Sequence, residues 1–429
     1  MFFHYVELAL RSLRQSRVLT ALMVLSLALG IGASISMLTL LRLLAGDPLP
    51  QNSAHIFEAQ LDPLPSEGYL PGQTKPGDDL TYVDAMNLLN AHRAGRQAAA
   101  AAFHARIAPQ QTALAPFFGN GVMTTADFFP MFDVPFEYGG GWSTSEEHAG
   151  AQVAVIADYI NDKLFDGANS VGKLIRIDDH DFRIVGVLKH WAPQPRFYAG
   201  EGYGVGDAVF LPLPSALDVG ISTNYFSCYL QGDQRDLRTA PCTWLSLWVE
   251  LAGDADATAY KTFLSHYAQQ QVLLNRFYRT DVDVPNLMQL LRNDHVVPED
   301  VRQLNRVAFG FLLICVVNTV GLLLAKCLRR AREIGVRRAL GASRGTIFVQ
   351  FMVEAVIIGL AGGVLGLAFA ELGLWVIRHQ PAEYAGLARL DVHMFALTFV
   401  FALAASLMAG VLPAWRACLV SPAAQVKAG

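Results

Sequence analysis

Four long apolar runs dominate the pattern of hydrophobic and polar positions along this chain of 429 residues. The first run is almost uninterrupted, and the other three gather near the C-terminus. About 20 apolar residues suffice to cross the hydrocarbon core of a bilayer, so each run is near spanning length or longer. The pattern therefore predicts transmembrane helices at 18–45, 306–326, 348–377 and 394–413.

The first run has an alternative interpretation as a cleaved signal peptide. Signal peptides carry an apolar stretch of about 7 to 15 residues before a small-residue cleavage site. The run at 18–45 is longer, and leucine-rich sequence continues past every small-residue site. We therefore expect a spanning helix.

The segment ahead of this run, 1–17, is amphipathic. Its apolar residues recur at near-helical spacing, with Arg11, Arg14 and Arg17 between them. This pattern is typical of a helix that lies along the inner membrane surface, in contact with lipid. The apolar residues are Phe2, Phe3, Val6, Leu10 and Leu13.

The region between the first two runs, 46–305, has the proline, glycine and charge content of a folded domain. Apolar residues recur at helical spacing in 80–106 and again in 258–278. Strand-like patterns occupy 153–156, 174–178 and 182–188. We expect a membrane protein with four transmembrane α-helices and a large α+β extracytoplasmic domain, in at least two lobes, inserted between the first and second spans.

Basic residues cluster between the second and third runs. This cluster contains seven basic residues and only one acidic residue, Glu333. The basic residues are Lys326, Arg329, Arg330, Arg332, Arg337, Arg338 and Arg344. Because bases are retained on the cytoplasmic side of a membrane, 327–347 is predicted to be a cytoplasmic loop. The segment 378–393 then forms a short extracytoplasmic loop, 414–429 a cytoplasmic tail, and both termini lie inside.

Composition supports membrane residence. The chain is 53% hydrophobic and only 16% charged, which is apolar for a soluble protein. Its net charge of −4 hides an asymmetry, because bases collect beside the apolar runs and acids dominate the middle region. This distribution argues against nucleic acid as a partner.

The sequence offers no recognisable catalytic motif in its middle domain. A nucleophile elbow, HExxH and paired CxxC are absent there, and no Walker A loop GxxxxGK[ST] occurs in the chain. We therefore predict a non-catalytic subunit without a cofactor of its own. A membrane-anchored enzyme remains an alternative only if the middle domain holds an unrecognised site.

Two groups of acidic residues are open to a functional and a structural interpretation. A metal could be ligated by four adjacent residues, Asp178, Asp179, His180 and Asp181. Neighbouring strand residues point to opposite faces, however, so these side chains cannot all converge on one ion. A solvated hairpin turn is therefore favoured, and no metal site is predicted. Carboxylates within a span are functional candidates by default. A snorkelling or interhelical partner is the favoured interpretation for both such residues, Glu354 and Glu371.

Cysteines and small residues suggest where segments meet. Cys228 and Cys242 lie in the polar middle region, where an oxidising compartment would permit a disulfide, although spacing alone leaves two reduced thiols equally open.

Small residues four apart let helices in lipid approach closely, either within one bundle or between two protomers. The glycines concerned are Gly30, Gly32, Gly359, Gly362, Gly363 and Gly366.

The basic loop has an internal pattern. Apolar residues interrupt its arginines, so a short amphipathic helix could lie across the membrane face, with Gly341 at its end. The loop could also be a topology determinant and nothing more. A helix there would be a contact point for a cytoplasmic partner. The apolar residues are Ala331, Ile334, Val336, Ala339 and Leu340.

Several segments together resemble one family. AREIGVRRALGASRGTIFVQFMVEAVIIGLAGGVLG at 331–366 is similar to the loop and third span of MacB/FtsX-like ABC transporter permeases. VLTALMVLSLALGIGA at 18–33 resembles their first span, and VLPAWRACLVSPAAQVKAG at 411–429, which includes Pro422, resembles their C-terminal end. Two segments of the middle domain resemble the extracytoplasmic domain of these permeases: GVMTTADFFPMFDVPFEYGGGW and VAVIADYINDKLFDGANSVGKLIRIDDHDFRIVGVL.

The resemblance implies a dimer in the bacterial inner membrane, made of two copies or two related permeases, served by ABC ATPase subunits that bind ATP and Mg. Because the sequence shows no ATPase domain, that subunit is expected to be separate. ATP hydrolysis would move the spans and the outer domain, in mechanical transmission. The helix at about 329–344 would contact the ATPase through Arg329, Arg330, Arg332, Glu333, Gly335, Arg337, Arg338 and Gly341.

Family members differ in what they do. Some export peptides or antibiotics with a periplasmic adaptor and an outer-membrane channel, some extract lipoproteins, and others control cell-wall hydrolases. We expect efflux of a peptide, antibiotic or lipid-like substrate. The alternative is FtsX-like or lipoprotein-release-type transmission to a periplasmic partner, without transport through the membrane.

Overall fold

A computed structural model describes residues 2–66, 75–109, 115–198, 200, 202–204, 206–229, 236–380 and 384–418. The chain divides into two compact units. One is formed by 1–45 with 297–429, and the other by 46–296. The segment 419–429, with Pro422, lies outside the described residues.

The first unit is built from long helices. Within the described residues, four of them are long and apolar enough to cross a membrane, which confirms the expected four-span architecture. We number them in chain order as span 1, which is α2, Arg17–Leu44, span 2, which is α10, Glu299–Arg329, span 3, which is α12, Arg344–Arg378, and span 4, which is α13, Val392–Cys418. The helices of this unit are α1 Phe2–Gln15, α2 Arg17–Leu44, α10 Glu299–Arg329, α11 Ala331–Ala339, α12 Arg344–Arg378 and α13 Val392–Cys418, with a 3₁₀ turn at Ala385–Leu387.

The helices extend beyond the predicted apolar runs. Span 2 begins at Glu299 rather than 306, span 3 at Arg344 rather than 348, and span 4 ends at Cys418 rather than 413. Hydropathy marks only the part of a helix that matches hydrocarbon, whereas backbone hydrogen bonding continues through the polar ends. The predicted loops are correspondingly shorter in the structure.

The spans pack side by side. Span 1 packs against spans 2 and 3, and span 4 packs against the same two helices. Buried aliphatic side chains fill the centre, among them Leu27, Ile31 and Ile358. The amphipathic helix α1 packs against span 3.

The second unit is an α+β domain, as expected. Its helices are α3 Tyr82–Asn90, α4 Phe128–Met131, α5 Thr144–His148, α6 Asp158–Phe165, α7 Leu213–Asp218, α8 Asp254–Leu273 and α9 Leu287–Asn293. Its strands are β1 Ile56–Glu58, β2 Gln60–Leu61, β3 Gln97–Ala108, β4 Phe117–Thr124, β5 Phe136–Gly139, β6 Val153–Ile156, β7 Leu174–Ile177, β8 His180–Leu188, β9 Val209–Pro212, β10 Ser227–Cys228, β11 Cys242–Thr243, β12 Ser246–Glu250 and β13 Val282–Asp283.

In the part of this unit that the structure describes, nine strands form one mixed sheet in the order β1-β12-β3-β4-β9-β6-β8-β5, and β7 pairs with both β3 and β8. Most neighbours are antiparallel, while β4 with β9 and β6 with β8 are parallel. Two further pairs, β10 with β11 and β13 with β2, form small two-stranded sheets. One large sheet thus organises the unit 46–296, and the expectation of at least two lobes within it stays a prediction.

Each face of the large sheet is buried against its own core. Alternate residues of β3 point to opposite faces, so Phe103 and Ile107 join one core while Ala98 and Ala100 join the other. Helices α3, α6 and α8 cover the first core. Helices α4 and α9 cover the second, which is rich in aromatic rings.

The predicted helix at 80–106 is wrong in its second half. Helix α3 ends at Asn90, and Gln97–Ala108 forms β3 at the centre of the sheet. Alanine favours helices, but its small side chain also fits a strand buried on both faces, and here the tertiary packing decides. The second helix was placed too late, since α8 covers Asp254–Leu273 rather than 258–278.

The predicted strands at 153–156, 174–178 and 182–188 are confirmed as β6, β7 and β8, with small shifts at their ends. Strands β7 and β8 form a hairpin in which Ile177 pairs with His180. The two turn residues, Asp178 and Asp179, have φ values of 42° and 70°. Aspartate tolerates this left-handed conformation better than most residues, so the acidic turn suits its sequence.

Candidate functional site

The segment between spans 2 and 3 folds into a short helix, α11, which we call the coupling helix. Span 2 ends at Arg329, Arg330 breaks the helix with φ −100°, and α11 runs from Ala331 to Ala339. Gly341 then adopts φ +98°, a conformation that glycine reaches without strain. The coupling helix is therefore shorter than the expected 329–344.

Span 3 begins directly after this turn. The hydroxyl of Ser343 accepts a hydrogen bond from the backbone N–H of Thr346, which caps the helix that starts at Arg344. Serine is a favoured cap because its side chain satisfies a backbone donor that the first turn leaves unpaired. The Gly341 turn and the Ser343 cap together fix the end of the coupling segment.

The inner face of the coupling helix is held on the spans. Ile334 and Gly335 are buried, and Ile334 packs in a cluster with Ile347 and Phe351 of span 3. Arg337 donates to Gln350 Oε1 at 3.2 Å and to Glu333 Oε1 at 2.6 Å. The packing of Ile334 and the hydrogen bond to Gln350 connect the helix directly to span 3, and the Glu333 contact orients Arg337 within the coupling helix.

Arg338 provides a second attachment. Its guanidinium donates to the backbone carbonyl of Cys418, at the end of span 4, at 3.2 Å. Three of the residues predicted to contact the ATPase therefore contribute to docking the coupling helix within this chain. They are Gly335, Arg337 and Arg338.

The outer face of the coupling segment is exposed. Arg329, Arg332 and Glu333 lie there, together with Val336, which is 54% exposed, and Leu340, which is 84% exposed. The pattern of the basic loop predicts these two apolar residues against the membrane face, whereas the structure leaves both exposed. The four-residue spacing of Arg332, Val336 and Leu340, which puts them on one side of a helix, was the available signal.

A buried ion pair lies behind the coupling segment. Glu354 of span 3 is 1% exposed, and its Oε2 lies 2.8 Å from Nζ of Lys326 on span 2. Its Oε1 lies 3.5 Å from Nη1 of Arg330. Glu354 is therefore an interhelical partner, whereas Glu371 is half exposed and pairs with Arg378 at 2.6 Å.

All six glycines singled out for helix packing lie at interfaces within the chain. A Cβ atom at Gly32 would lie 2.7 Å from Cβ of Phe369, and one at Gly363 would lie 2.8 Å from Cβ of Ala402. Gly30, Gly362 and Gly366 face neighbouring spans at 3.0 to 3.2 Å. A side chain at these positions would push the helices apart, so the small residues set the spacing of the spans.

In the second unit, Cys228 and Cys242 form a disulfide between opposed residues of β10 and β11. At the acidic hairpin turn, Arg106 pairs with Asp179, and its backbone N–H donates to Asp178. Among the described residues, no group of three or more His, Cys, Asp or Glu side chains could hold a metal ion. These turn residues are thus used in hydrogen bonds and ion pairs.

A second acidic group lies near β1 and β2. Gln60 donates to Glu58 at 2.9 Å and to Asp78 at 2.6 Å. Burial, followed by the charge of Asp78, holds the pKa of Glu58 well above its usual range. Burial, followed by the charges of Asp294 and Asp79, raises the pKa of Asp78 to about 6.

These features define a class: a multi-pass membrane protein with a large outer α+β domain and a docked helix between spans 2 and 3. Residues 20–264 match the model of the MacB-like periplasmic core domain, and 305–422 match the FtsX-like permease C-terminal model. The chain belongs to the MacB/FtsX-like family of ABC transporter permeases and is a protein of the inner membrane.

Known relatives are similar at modest identity. The pyoverdine export ATP-binding/permease protein PvdT of Pseudomonas fluorescens is 24% identical over 430 residues, which cover 97% of this chain and 58% of that protein. The macrolide export ATP-binding/permease protein MacB of Azoarcus is 26% identical, over 67% of this chain and 39% of that protein. The chain thus spans about half the length of these relatives.

Two solved structures were also compared. The periplasmic region of MacB from Actinobacillus actinomycetemcomitans aligns with a TM-score of 0.39 and 12% identity, covering 58% of this chain and 96% of that one. The extracellular domain of YknZ, a noncanonic ABC-type transporter from Gram-positive bacteria, aligns with a TM-score of 0.36 and 12% identity, covering 54% of this chain and 100% of that one.

Proposed function

We propose that this chain is the transmembrane permease subunit of an ABC exporter, in which a separate ATPase subunit hydrolyses ATP and thereby moves the outer domain. Relatives of the chain are named for export of pyoverdine and of macrolides. A peptide, an antibiotic or a lipid-like molecule is the proposed class of substrate. In this proposal, ATP and Mg bind to the ATPase subunit.

The exposed face of the coupling helix carries this proposal. Arg332, Val336 and Leu340 present one charged and two apolar side chains on a helix that is docked from behind by Ile334 and Arg338. Exposed apolar residues next to arginine are the composition of a protein contact surface. An ATPase bound there would act on spans 3 and 4, to which the helix is fixed.

The proposed assembly places both termini and the coupling helix in the cytoplasm, as the clustered bases favour. It contains a second permease, either another copy or a related chain, because ABC transporters work with two transmembrane subunits. A periplasmic adaptor and an outer-membrane channel would complete an export path.

Mechanical transmission without transport through the membrane is the second candidate function. The close contacts of Gly359 with Ser406 and of Gly363 with Ala402 favour it, because they close the interface between spans 3 and 4. In such a machine the spans would move as packed bodies and act on a periplasmic partner.

The test uses the ATPase that copurifies with the chain. Arg332→Glu combined with Leu340→Glu should abolish stimulation of ATP hydrolysis by the permease, since both changes lie on the exposed face. Arg292→Glu, at an exposed position on α9 of the second unit, is the control and should retain stimulation. Full stimulation in the double variant would contradict the proposed contact.

A further inference from the structure

The buried Glu354 lies at the meeting point of four helices. Span 3 carries it, span 2 supplies Lys326, and Arg330 lies between the end of span 2 and the start of the coupling helix. Arg330 also donates hydrogen bonds to Ser12 Oγ and, at 2.9 Å, to Gln15 Oε1 of α1. One carboxylate therefore neutralises two cations that reach it from different elements.

We propose that Glu354 is a positioning residue that, through Arg330, fixes both the coupling helix and α1 to span 3. The inference rests on the proposed function, because it assigns Glu354 a part in transmitting motion of the coupling helix. It adds the amphipathic helix α1 to the moving apparatus, a role beyond contact with the membrane surface.

Burial makes this arrangement depend strongly on the Glu354 charge. The side chains of Lys326 and Glu354 are 3% and 1% exposed, so water cannot replace a lost partner. Removing one member of a buried pair leaves an uncompensated charge, which is far more damaging than loss of an exposed pair. Without Glu354, Lys326 and Arg330 would repel each other and seek solvent.

Because of the position of Arg330, loss of the Glu354 carboxylate would affect more than the packing of the spans. Arg330 interrupts the helix between span 2 and the coupling helix, so its side chain determines where the coupling helix starts. The same guanidinium holds Ser12 and Gln15, and Nε lies 3.8 Å from Glu333 on the coupling helix. Displacing it would release α1 and the coupling helix together.

The experiment measures this docking without the ATPase and then with it. Spin labels are attached at Arg11→Cys on α1 and Ala339→Cys on the coupling helix, both exposed positions, in the full chain with Cys315, Cys327 and Cys418 changed to serine. The parent should give one narrow distance distribution. Glu354→Gln should broaden it and, with the copurified ATPase, lose permease-stimulated ATP hydrolysis.

Glu371→Gln is the matched control. It removes a carboxylate from the same span, but from an exposed pair with Arg378, and should keep both the narrow distribution and the stimulation. A distribution for Glu354→Gln as narrow as that of the parent would overturn the proposal. If the parent itself stimulates no ATPase, the proposed function fails, while the distance distributions still decide the role of Glu354.

A second variant protects the test against misfolding of Glu354→Gln. Ser12→Ala with Gln15→Ala removes only the α1 side of the network and leaves Glu354 paired with Lys326 and Arg330. We expect the distance distribution to broaden here as well, because α1 loses both hydrogen bonds to Arg330. An unchanged narrow distribution would overturn the assignment of α1 to this network.

Discussion

A Cβ atom built on Gly359 of span 3 would lie 2.3 Å from Cβ of Ser406 on span 4. It would also lie 2.8 Å from the backbone oxygen of Ala402. Carbon atoms that are not bonded to each other do not approach so closely, so the two spans require glycine at this position. The contact makes the packing of spans 3 and 4 testable with a single methyl group.

Gly359→Ala should therefore destabilise the chain by about 1 to 3 kcal/mol, the usual cost of overpacking a close interface. The midpoint of thermal unfolding in mild detergent measures it. Gly321→Ala in span 2 is the control, because within the described residues its added methyl group meets nothing within 4 Å beyond the adjoining backbone and neighbours of its own helix. Equal midpoints for the two variants would contradict the described packing of spans 3 and 4.

A second prediction concerns the disulfide between Cys228 and Cys242 and the compartment in which the outer domain lies. Alkylation of the denatured chain without reductant should label three cysteines, Cys315, Cys327 and Cys418, and reduction should add two. Disulfides persist outside the cytoplasm, so this result also tests the orientation of the outer domain. Five labelled cysteines before reduction would contradict that orientation.

Changing Cys228 and Cys242 together to serine should lower the free energy of unfolding by about 3 kcal/mol, the value for a loop of roughly 15 residues. Thermal unfolding of the full chain, followed by tryptophan fluorescence, measures the loss. Cys315→Ser, which breaks no disulfide, is the control. A double variant as stable as the parent would mean that the loop is constrained by other contacts.

The raised pKa of Asp78 makes a third prediction. Between the usual value of 3.8 and about 6, the folded chain retains a proton that the unfolded chain has released. Stability is therefore lost as the pH rises through this window, and the deprotonated Asp78 destabilises the fold above it. Asp78→Asn should remove that effect while keeping an oxygen to accept the hydrogen bond from Gln60.

We expect Asp78→Asn to be more stable than the parent above about pH 6, by about 0.5 kcal/mol because solvent screens this partly exposed carboxylate, and equal to it near pH 4. Unfolding midpoints at a series of pH values measure the difference. Asp181→Asn, which breaks the surface pair with Arg176, should show no gain. A gain for Asp78→Asn that shrinks as the pH rises would refute the assignment.

The spans and the β7–β8 hairpin could be predicted from sequence because local physics determines them. Apolar length alone identifies a spanning helix, and alternation around the acidic turn at Asp178 and Asp179 identifies the hairpin. Strand β3 could not be predicted in this way. Its alanine run has no polar alternation to show that both faces are buried, and alanine by itself favours a helix.

In the coupling segment, too, some features could be predicted from the sequence and others could not. Its bases and its helical tendency were visible in the sequence, but which side faces a partner depends on distant residues. Arg338 turns inward because the carbonyl of Cys418 lies beneath it, 80 positions later in the sequence. Lys326 was counted among the loop bases, yet it is buried because Glu354 of span 3 lies beside it.

Affinity purification of the tagged full chain from native membranes in mild detergent, with mass spectrometry of the copurifying proteins, tests the central claim most directly. We expect a stoichiometric ABC ATPase, and a periplasmic adaptor with it would favour export over mechanical transmission alone. The Arg332→Glu and Leu340→Glu double variant should lose the ATPase in the same experiment. Recovery of the parent chain without any ATPase, even after crosslinking, would contradict the account.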